Sequence, residues 1–335
     1  MTSRTRNLTL IIFTLIGLPL LCVGLWLQSF LTTPVIPSQP QTIEIKQGSS
    51  FARIAVQLQT AGVVSDVRRF TLLARWRKAT AQVHAGEYLF ETSATPDQVL
   101  ARLVAGDIRK FQVTIPEGFN LQEIAGRLEK TGVGSAQEFL SLCKDEAFIK
   151  ELGIEATSLE GYLFPETYTY TSSTTPRQLL SAMVEQLDSQ ITEELLESAA
   201  ALKLDRHQLI TLASIVQKEA GNLMEMPLIS SVFHNRLKRG IPLQADPTVI
   251  YGVADFDGNL TRKHLNTPTP YNTYRMRGLP PGPIASPGGF ALQATANPAE
   301  GKDLYFVSRG DGTHEFNATL KDHNRAVRRY QLRRR

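Results

Sequence analysis

One carboxylate at the end of an apolar segment is the residue of this chain best suited to proton-transfer chemistry. The segment 213–219 reads ASIVQKE and ends on Glu219. At about 3.6 residues per turn, three apolar side chains share a helical face with this carboxylate: Leu212, Ile215 and Val216. Burial of that face would raise the pKa of the carboxyl and keep it protonated near neutral pH, as a general acid that protonates a glycosidic oxygen requires. Taken alone, the periodicity also permits an exposed glutamate beside Gln217 and Lys218.

Asp246 is the candidate for a second acid, and its sequence context has two interpretations. It is followed by Pro247 and by the β-branched run 248–250. Aspartate before proline is typical of a helix start, with the aspartate as N-cap and the proline at the first helical position. A hydrolase that cleaves a glycosidic bond would need this carboxylate as its nucleophile or water-activating base. The two roles are compatible if the capped turn lines a cleft.

Other common catalytic patterns are missing from the sequence. The six histidines show no metal-ligand spacing such as H-E-x-x-H. Ser214 and Ser286 lack the setting of a nucleophile elbow, and no Walker or dinucleotide-binding fingerprint occurs. The sequence therefore predicts no metal, no cofactor and no serine-hydrolase chemistry.

The elements expected to position these residues are mainly helical. Three helices are predicted in the region from about residue 191: Leu195–Leu204, Arg206–Glu219 and Pro227–Arg239. Gly221 and Gly240 are the expected stop signals of the last two. The stretch Leu260–Gly289 is rich in Pro, Gly, Asn and Thr, and a loop of this length is usually functional. Two strands of a hairpin and a final helix are predicted after it: Asp303–Arg309, His314–Leu320 and the residues from about Asp322.

The preceding region carries an internal repeat at an offset of 70 residues. The matching pairs are Ile45 and Ile115, Gly48 and Gly118, Ile54 and Ile124, Ala55 and Ala125, Leu58 and Leu128, Gly62 and Gly132, Val63 and Val133, and Ser65 and Ser135. The segments that begin at Gly86 and Gly161 also resemble each other. Each copy predicts a strand, a glycine turn and two helices, so residues 41–190 are interpreted as a duplicated α/β module. A strand-helix-helix-strand unit resembles the LysM fold, which binds amino-sugar polymers. The alternative is that the region is only a packing scaffold, because the sequence shows no row of exposed aromatic residues that could bind sugar.

The N-terminal segment is predicted to anchor the chain in a membrane. Leu8–Leu31 contains no charged residue and is long enough to span a bilayer core of roughly 30 Å. Arg4 and Arg6 precede it, so the positive-inside rule predicts a cytoplasmic N-terminus and an extracytoplasmic main part. A cleaved signal peptide is the alternative, but the apolar region is longer than usual for one and no A-x-A-like site follows. The segment Pro34–Pro40 is predicted to be a short stiff linker.

The amino-acid composition limits the classes of protein to which the chain can belong. A chain of 335 residues with 42% hydrophobic and 20% charged residues is typical of globular protein and long enough for two domains. The formal net charge of +4 owes much to a C-terminal arginine cluster, interpreted as a solvated helix end rather than a contact with anionic lipid or an acidic polymer. No basic-aromatic face accompanies that cluster, so nucleic-acid binding is not expected. The two cysteines, Cys22 and Cys143, fall in separate predicted helices and are not expected to pair.

Several long motifs carry a family resemblance. They are GYLFPETY (161–168), LASIVQKE (212–219), LQADPTVIYG (243–252), TPYNTY (269–274), GLPPGPIASPG (278–288), LYFV (304–307) and DHN (322–324). In this order, and with one N-terminal anchor, the chain resembles the MltG/YceG family of membrane-anchored endolytic murein transglycosylases over nearly its whole length. The resemblance implies that Glu219 is the catalytic residue. Gln217 departs from the family, in which a first glutamate often stands at this position; this argues against a role that needs two acids on the helix.

The resemblance also implies a substrate and a reaction. The expected substrate is the glycan strand of peptidoglycan, cut at the β-1,4 bond between N-acetylmuramic acid and N-acetylglucosamine with formation of a 1,6-anhydro end, which ends strand growth. Expected partners are the cell-wall synthases. Five residues are candidates for contacts with sugar, with loop packing or helix capping as the alternative: Gln244, Asp246, Tyr251, Asn272 and Tyr274. The rival functions are a non-catalytic glycan-binding scaffold and a hydrolytic muramidase that uses Asp246.

The predicted architecture is α+β with one transmembrane helix. Its segments are a cytoplasmic tail (1–7), a transmembrane helix (8–31), a linker (32–41), a duplicated LysM-like α/β region (42–190) and an α+β catalytic domain (191–335). The predicted location is a bacterial inner (plasma) membrane, with the catalytic part outside the cytoplasm.

Overall fold

A computed structural model describes residues 18–332 of the chain. The described chain forms two compact units. The first holds the chain up to Phe111 together with Thr169–Ser173, and the second holds Gln112–Tyr168 and the chain from Thr174 onward. The fold is α+β and mostly helical with small sheets, so the α+β part of the predicted fold class is confirmed.

The first unit is a strand-helix-helix-strand motif between two further helices. Its elements are α1 Leu18–Thr32, β1 Gln41–Ile45, α2 Phe51–Thr60, α3 Val67–Trp76, β2 Gly86–Phe90 and α4 Pro96–Ala105. Strands β1 and β2 pair antiparallel, with Ile43 opposite Tyr88. Both side chains are buried because alternate residues of each strand point toward the helices. Side-chain caps begin the helices: Ser50, Asp66 and Thr95 each accept a bond from a backbone N–H of the first turn.

The second unit begins with a similar motif and continues into a helical domain. Its strands and helices are β3 Phe111–Thr114, α5 Leu121–Glu129, α6 Ala136–Leu142, α7 Glu146–Glu151, β4 Thr167–Tyr170, α8 Pro176–Gln190, α9 Glu193–Ala201, α10 Arg206–Glu219, α11 Met226–Arg239, α12 Asp246–Tyr251, α13 Arg262–Asn266, α14 Gly289–Ala296, β5 Tyr305–Ser308, β6 His314–Asn317 and α15 Leu320–Val327. A π-helical turn, Arg328–Leu332, follows α15. Strands β3 and β4 pair with each other.

The predicted repeat is visible in the local backbone. A strand and two helices follow one another in both copies, and the second copy has a third helix, α7, before its partner strand β4. Gly48 and Gly118 have φ of +78° and +74°, a left-handed conformation that favours glycine. The second copy, however, belongs to the same compact unit as the helices that follow residue 191. The segment 161–164 also lies ahead of β4, whereas the similar segment that begins at Gly86 forms β2. The likeness to LysM stays a prediction.

The predicted membrane span lies partly outside the described residues, since it starts at Leu8. Its described part forms α1, which exposes apolar side chains along its first half and buries Phe30 in the core of the first unit. Within residues 18–332, no helix has the length and apolar character needed to cross a membrane. The linker is fixed to the unit, because Val35 and Ala94 exchange backbone hydrogen bonds of 2.9 and 3.1 Å.

The predicted helices and hairpin of the second unit are found with small shifts. Helix α10 has the predicted bounds, and its C-cap is Ala220 rather than Gly221. Helix α11 ends as predicted on Gly240, in a left-handed conformation with φ +63°. Helix α9 begins two residues before the predicted Leu195, because the Thr192 side chain caps it. The hairpin forms with shorter strands, β5 and β6, paired antiparallel.

Candidate active site

The helix that carries Glu219 lies in the core of the second unit. A capping box between Asp205 and Gln208 begins α10, and every residue from Leu209 to Val216 is buried. The Ser214 hydroxyl donates to the Thr211 carbonyl and accepts from the Ile284 N–H. Ser214 therefore fixes the loop before α14 to α10. Glu219 lies at the end of a helix that is itself held in the core.

The Glu219 carboxyl is desolvated. The residue is half-buried, and burial raises the pKa of its carboxyl to about 8. The negative charge of Asp246 raises this pKa further, while the Arg236 guanidinium opposes the rise. A carboxyl with this pKa is protonated at neutral pH, as the apolar face of the helix predicted.

Glu219 faces a groove of about 460 Å³. Three of the predicted contact residues line the same groove: Gln244, Asp246 and Tyr274. The other walls come from α11, the β5–β6 hairpin and α15, and they include Arg236, Tyr305, Phe306, His314, His323 and Asn324. The structure thus brings together four residues from three segments that are distant in sequence.

Asp246 is not the N-cap that its sequence context predicts. The N-cap of α12 is Ala245, no side chain caps this helix, and Asp246 is its first residue. The prediction is wrong because the backbone of Ala245 is held by Thr273, whose hydroxyl accepts the Ala245 N–H at 3.0 Å. The Asp246 carboxylate is therefore directed into the groove, where it accepts a 2.6 Å hydrogen bond from the Tyr274 hydroxyl.

Tyr274 is held as a hydrogen-bond donor. Burial and the bond to Asp246 raise the pKa of its hydroxyl, so the proton stays on the phenol. The Tyr274 backbone N–H donates to the Asn272 side-chain oxygen at 3.0 Å. The position of the tyrosine in the groove therefore depends on its loop.

Two of the predicted contact residues do not line the groove. Asn272 is buried, and its side-chain N–H groups donate to the carbonyls of His264, Leu265 and Thr267 at 2.7–3.2 Å. Its amide thus braces the loop that presents Tyr274. The Tyr251 hydroxyl donates to Glu160 at 3.1 Å, and its ring packs against Tyr271. Both side chains have protein partners for their polar atoms.

Arg236 is a buried residue of the groove that sequence reasoning missed. Its guanidinium donates to the carbonyls of Leu304 and Leu243, each at 2.6 Å. It therefore links α11 to the start of β5 and to the segment before α12. The sequence feature that could have identified Arg236 is its spacing. It lies four residues after Val232 and three after Phe233, which places a cation on the apolar face of the helix.

Gln244 has an unusual backbone for a non-glycine residue. Its φ is +51°, in the left-handed region, and its N–H donates to the Thr273 carbonyl at 3.0 Å. Such a conformation costs on the order of 1 kcal/mol and is found at sites where the surroundings impose it. The exposed Gln244 side chain lies beside Arg236, with 3.5 Å between the amide oxygen and the guanidinium.

Gln217 has a structural partner. Its side-chain oxygen accepts the Gly288 N–H at 3.0 Å, and the neighbouring Lys218 ammonium donates to the Gly118 carbonyl at 3.1 Å. The last turn of α10 is thus fixed to the two loops that flank it. The glutamine at this position holds the proline-rich loop without a second acid.

Glu160 is a second buried acid that sequence reasoning did not single out. It is 5% exposed, and both of its oxygens accept the Leu121 N–H at 3.2 Å, while one also accepts from Tyr251. Burial raises the pKa of its carboxyl to about 7. The available signal is an acid inside the apolar run 159–164. It joins the start of α5 to the end of α12, away from the groove.

The hairpin wall of the groove is tied to the segment that follows Glu219. The Glu225 carboxylate contacts His314 twice, at 2.8 Å to the ring Nδ1 and at 2.9 Å to the backbone N–H. The Asn222 side chain donates to the Gly312 carbonyl at 3.1 Å. The β5–β6 hairpin therefore keeps its place beside the carboxyl. Within residues 18–332, no group of three or more His, Cys, Asp or Glu side chains could hold a metal ion.

Comparisons with known proteins find similarity over most of the chain. The model of the YceG-like family matches residues 43–329. An endolytic murein transglycosylase of Bacillus subtilis (strain 168) is 33% identical over 304 residues, covering 86% of this chain and 84% of that protein. A protein of the same name from Streptococcus pneumoniae is 30% identical and matches 85% of this chain but 57% of its own length. The crystal structure of a yceG-like protein from Listeria monocytogenes superposes with a TM-score of 0.59 at 30% identity, covering 86% of this chain and 99% of that one.

Proposed function

The chain belongs to the YceG-like family, and from this premise we propose that it is an endolytic lytic transglycosylase of peptidoglycan. It cleaves the β-1,4 bond between N-acetylmuramic acid and N-acetylglucosamine inside a nascent glycan strand. The product carries a 1,6-anhydro end, and the cut ends growth of the strand. The curated relatives named endolytic murein transglycosylase support the reaction class.

The observation that carries the proposal is one desolvated carboxyl, Glu219, facing a groove with a pKa raised to about 8. The protonated acid donates its proton to the glycosidic oxygen as the bond from the anomeric carbon to that oxygen breaks. The primary hydroxyl of the same muramic sugar attacks the anomeric carbon. The Glu219 carboxylate then takes the proton of that hydroxyl, so one residue serves both steps.

An internal nucleophile explains why a second acid is dispensable. Intramolecular attack gains from the large effective concentration of a held group, which leaves the protein to orient the sugar and exclude water. Gln244 and Tyr274, which line the groove with Glu219, are the proposed sugar contacts. Asp246 acts through its charge, since it raises the pKa of Glu219.

The proposed location is a bacterial plasma membrane with the N-terminus in the cytoplasm. The uncharged segment 8–31 after Arg4 and Arg6 supports an anchor, as do the exposed apolar side chains of α1. An anchor keeps the enzyme at the membrane, where new strands emerge. Synthases that make those strands are the proposed partners.

The test is the variant E219Q, which keeps the size of the side chain and removes the transferable proton. Purified E219Q protein should release anhydro-ended fragments from glycan strands at least about 10³-fold more slowly, as mass spectrometry measures. The matched control is E197Q, the same change at an exposed position on α9, which should keep full activity. Release of anhydro-ended fragments by E219Q at the normal rate would reject the catalytic assignment.

A hydrolytic muramidase is the second candidate, and the position of Asp246 in the groove is the observation that favours it. As the second acid, Asp246 would activate a water molecule. The products would then be reducing ends, each heavier by one water than the anhydro ends. A product spectrum with reducing ends alone would replace the transglycosylase mechanism by this one.

A further inference from the structure

Helix α1 exposes apolar side chains that the first unit does not cover. Four leucines of its first two turns are more than half exposed: Leu18 (54%), Leu20 (66%), Leu21 (59%) and Leu25 (56%). Leu18, Leu21 and Leu25 share one helical face, at spacings of three and four residues, whereas Leu20 lies on the opposite side, so apolar side chains are exposed on both sides of the helix. A helix that is apolar on all sides is stable only in apolar surroundings. The start of α1 therefore requires lipid or another apolar partner.

The later part of α1 lies against helix α4 and contacts Arg69 of helix α3. The Arg69 guanidinium lies 3.8 Å from the centre of the Trp26 ring and 5.7 Å from that of Phe30. Phe30 is 4% exposed and belongs to the core of the unit. The change from exposed to packed side chains thus falls close to Trp26, beside α3.

The outward side of α3 is basic and aromatic. We call this side the α3 face; it consists of Arg68, Arg69, Leu72, Arg75 and Trp76. Spacings of three, four and seven residues place these side chains on one side of the helix, opposite the buried Phe70 and Ala74. Leu72 is 51% and Trp76 is 70% exposed. The cations Arg77 and Lys78 follow directly, and the Arg77 guanidinium also contacts the Trp76 ring and Asp97.

We propose that the α3 face lies on a membrane surface rich in anionic lipid, at the point where the anchor enters the bilayer. This inference rests on the proposed membrane anchor. Arg69 connects the face to Trp26 of α1, so the helix that needs apolar surroundings and the basic face adjoin each other. Tryptophan prefers the interface between water and hydrocarbon, and arginine keeps its charge among the head groups while its stem contacts apolar surface.

Charge complementarity favours a membrane surface that carries anionic lipid. The α3 face carries three arginines and no acidic residue, and the acids nearest to it in sequence are Asp66 and Glu87. Asp66 is engaged in capping α3, and Glu87 pairs with Arg109 at 3.1 Å. Each basic side chain close to an anionic bilayer adds to the attraction. The exposed leucines of α1 belong to the uncharged segment 8–31, which the proposed anchor places in lipid.

The test uses fluorescence of Trp76 in the full-length chain. The chain has two tryptophans, so W26F leaves Trp76 as the single reporter. The W26F protein is placed in nanodiscs of phosphatidylcholine alone or with phosphatidylglycerol. In discs with phosphatidylglycerol, the Trp76 emission should shift to shorter wavelength, and quenching by aqueous acrylamide should fall at least about two-fold. Lipids brominated near the head group should quench the emission.

Variants that remove charges distinguish the contribution of the α3 face from that of the anchor. W26F with R68Q and R75Q should lose the lipid-dependent shift. W26F with K46Q and R53Q should keep it, since this control removes the same charge from exposed positions elsewhere in the unit. Discs that contain the protein but leave the Trp76 emission independent of phosphatidylglycerol would overturn the α3 face and leave the anchor standing.

Two further outcomes would also contradict the proposal. A protein that does not enter discs would overturn the anchor and the α3 face together, without touching the glycan-cleaving activity that E219Q tests. A Trp76 emission already shifted in detergent, and insensitive to lipid, would mean that a second copy of the chain covers the face.

Discussion

At the scale of single residues, the function depends on a carboxyl that keeps its proton at neutral pH. Burial at the end of α10 supplies most of that effect for Glu219, and the charge of Asp246 adds to it. In the proposed mechanism, Asp246 influences the reaction through its charge, without exchanging a proton with the sugar.

The contribution of Asp246 is testable by the pH dependence of catalysis. D246N removes a negative charge, so the pKa of Glu219 should fall, and the alkaline limb of kcat/KM should move from near pH 8 to lower pH by roughly one unit. Initial rates of fragment release between pH 5 and 10 measure the limb. The control Y274F removes the hydrogen bond and keeps the Asp246 charge, so its limb should stay near that of the native enzyme. An unmoved limb in D246N would contradict electrostatic coupling.

Arg236 supports the groove by hydrogen bonds that lysine cannot reproduce. R236K keeps the positive charge but leaves at least one of the two carbonyls at Leu243 and Leu304 without its donor. We expect a loss of about 2 kcal/mol in the free energy of unfolding, measured by urea denaturation. R239K makes the same change at the exposed end of the same helix and should alter stability by less than about 0.5 kcal/mol. Equal stability of both variants would show that the buried bonds contribute little.

At the scale of elements, the site depends on loops fixed closely against helices. The proline-rich loop before α14 approaches the segment that contains Gly161 so closely that no side chain fits. A Cβ atom on Gly161 would lie 2.3 Å from the Pro283 Cβ, and the residue has a φ of +79°. The same loop exchanges backbone hydrogen bonds of 2.8 Å through Ser286 with Gly118 and Phe119. Glycine at position 161 is therefore a requirement of packing.

G161A tests this close approach. The added methyl group must displace Pro283 in a conformation that alanine disfavours, so the variant should lose about 2–3 kcal/mol of stability. The matched control is G126A in α5, where a Cβ meets nothing within 4 Å and alanine should stabilise the helix by about 0.5–1 kcal/mol. Thermal unfolding of both variants measures the difference. A neutral G161A would mean that the loop can shift without cost.

At the scale of the whole molecule, the raised pKa of the Glu219 carboxyl lowers the stability of the folded chain. The unfolded chain binds fewer protons than the folded one between pH 4.5, the ordinary value for glutamate, and pH 8, the value in the groove. Stability therefore falls as pH rises through this window. Below it, Glu219 is protonated in both states and has no effect.

E219Q should remove this penalty. At pH 8 the variant should be more stable than the native protein by on the order of 4 kcal/mol, and at pH 4 the two should be equal. Urea unfolding at both pH values measures the difference. E197Q, at an exposed position, should show no such dependence on pH. A difference between E219Q and the native protein that is as large at pH 4 as at pH 8 would assign the effect to packing instead of proton binding.

Local patterns in the sequence determined the elements of this protein. Apolar spacing defined α10 and α11, turn residues marked the hairpin, and the offset of 70 residues marked the repeated strand-helix-helix-strand motif. These features follow from contacts between near neighbours, which periodicity records. The apolar face of α10 also singled out Glu219 as a candidate, because the apolar residues that share its helical face lie on the same helix and are buried.

Tertiary structure decided which distant residues share the groove. Gln244, Asp246 and Tyr274 meet Glu219, whereas Asn272 braces a loop and Tyr251 pairs with Glu160. All of these candidates are polar or aromatic residues near turns, and nothing in their spacing distinguishes them. The N-cap of α12 likewise moved to Ala245 because Thr273, which is 28 residues away, holds that backbone. Contacts between segments that are distant in sequence produce no periodic pattern in the sequence, so only the folded chain shows them.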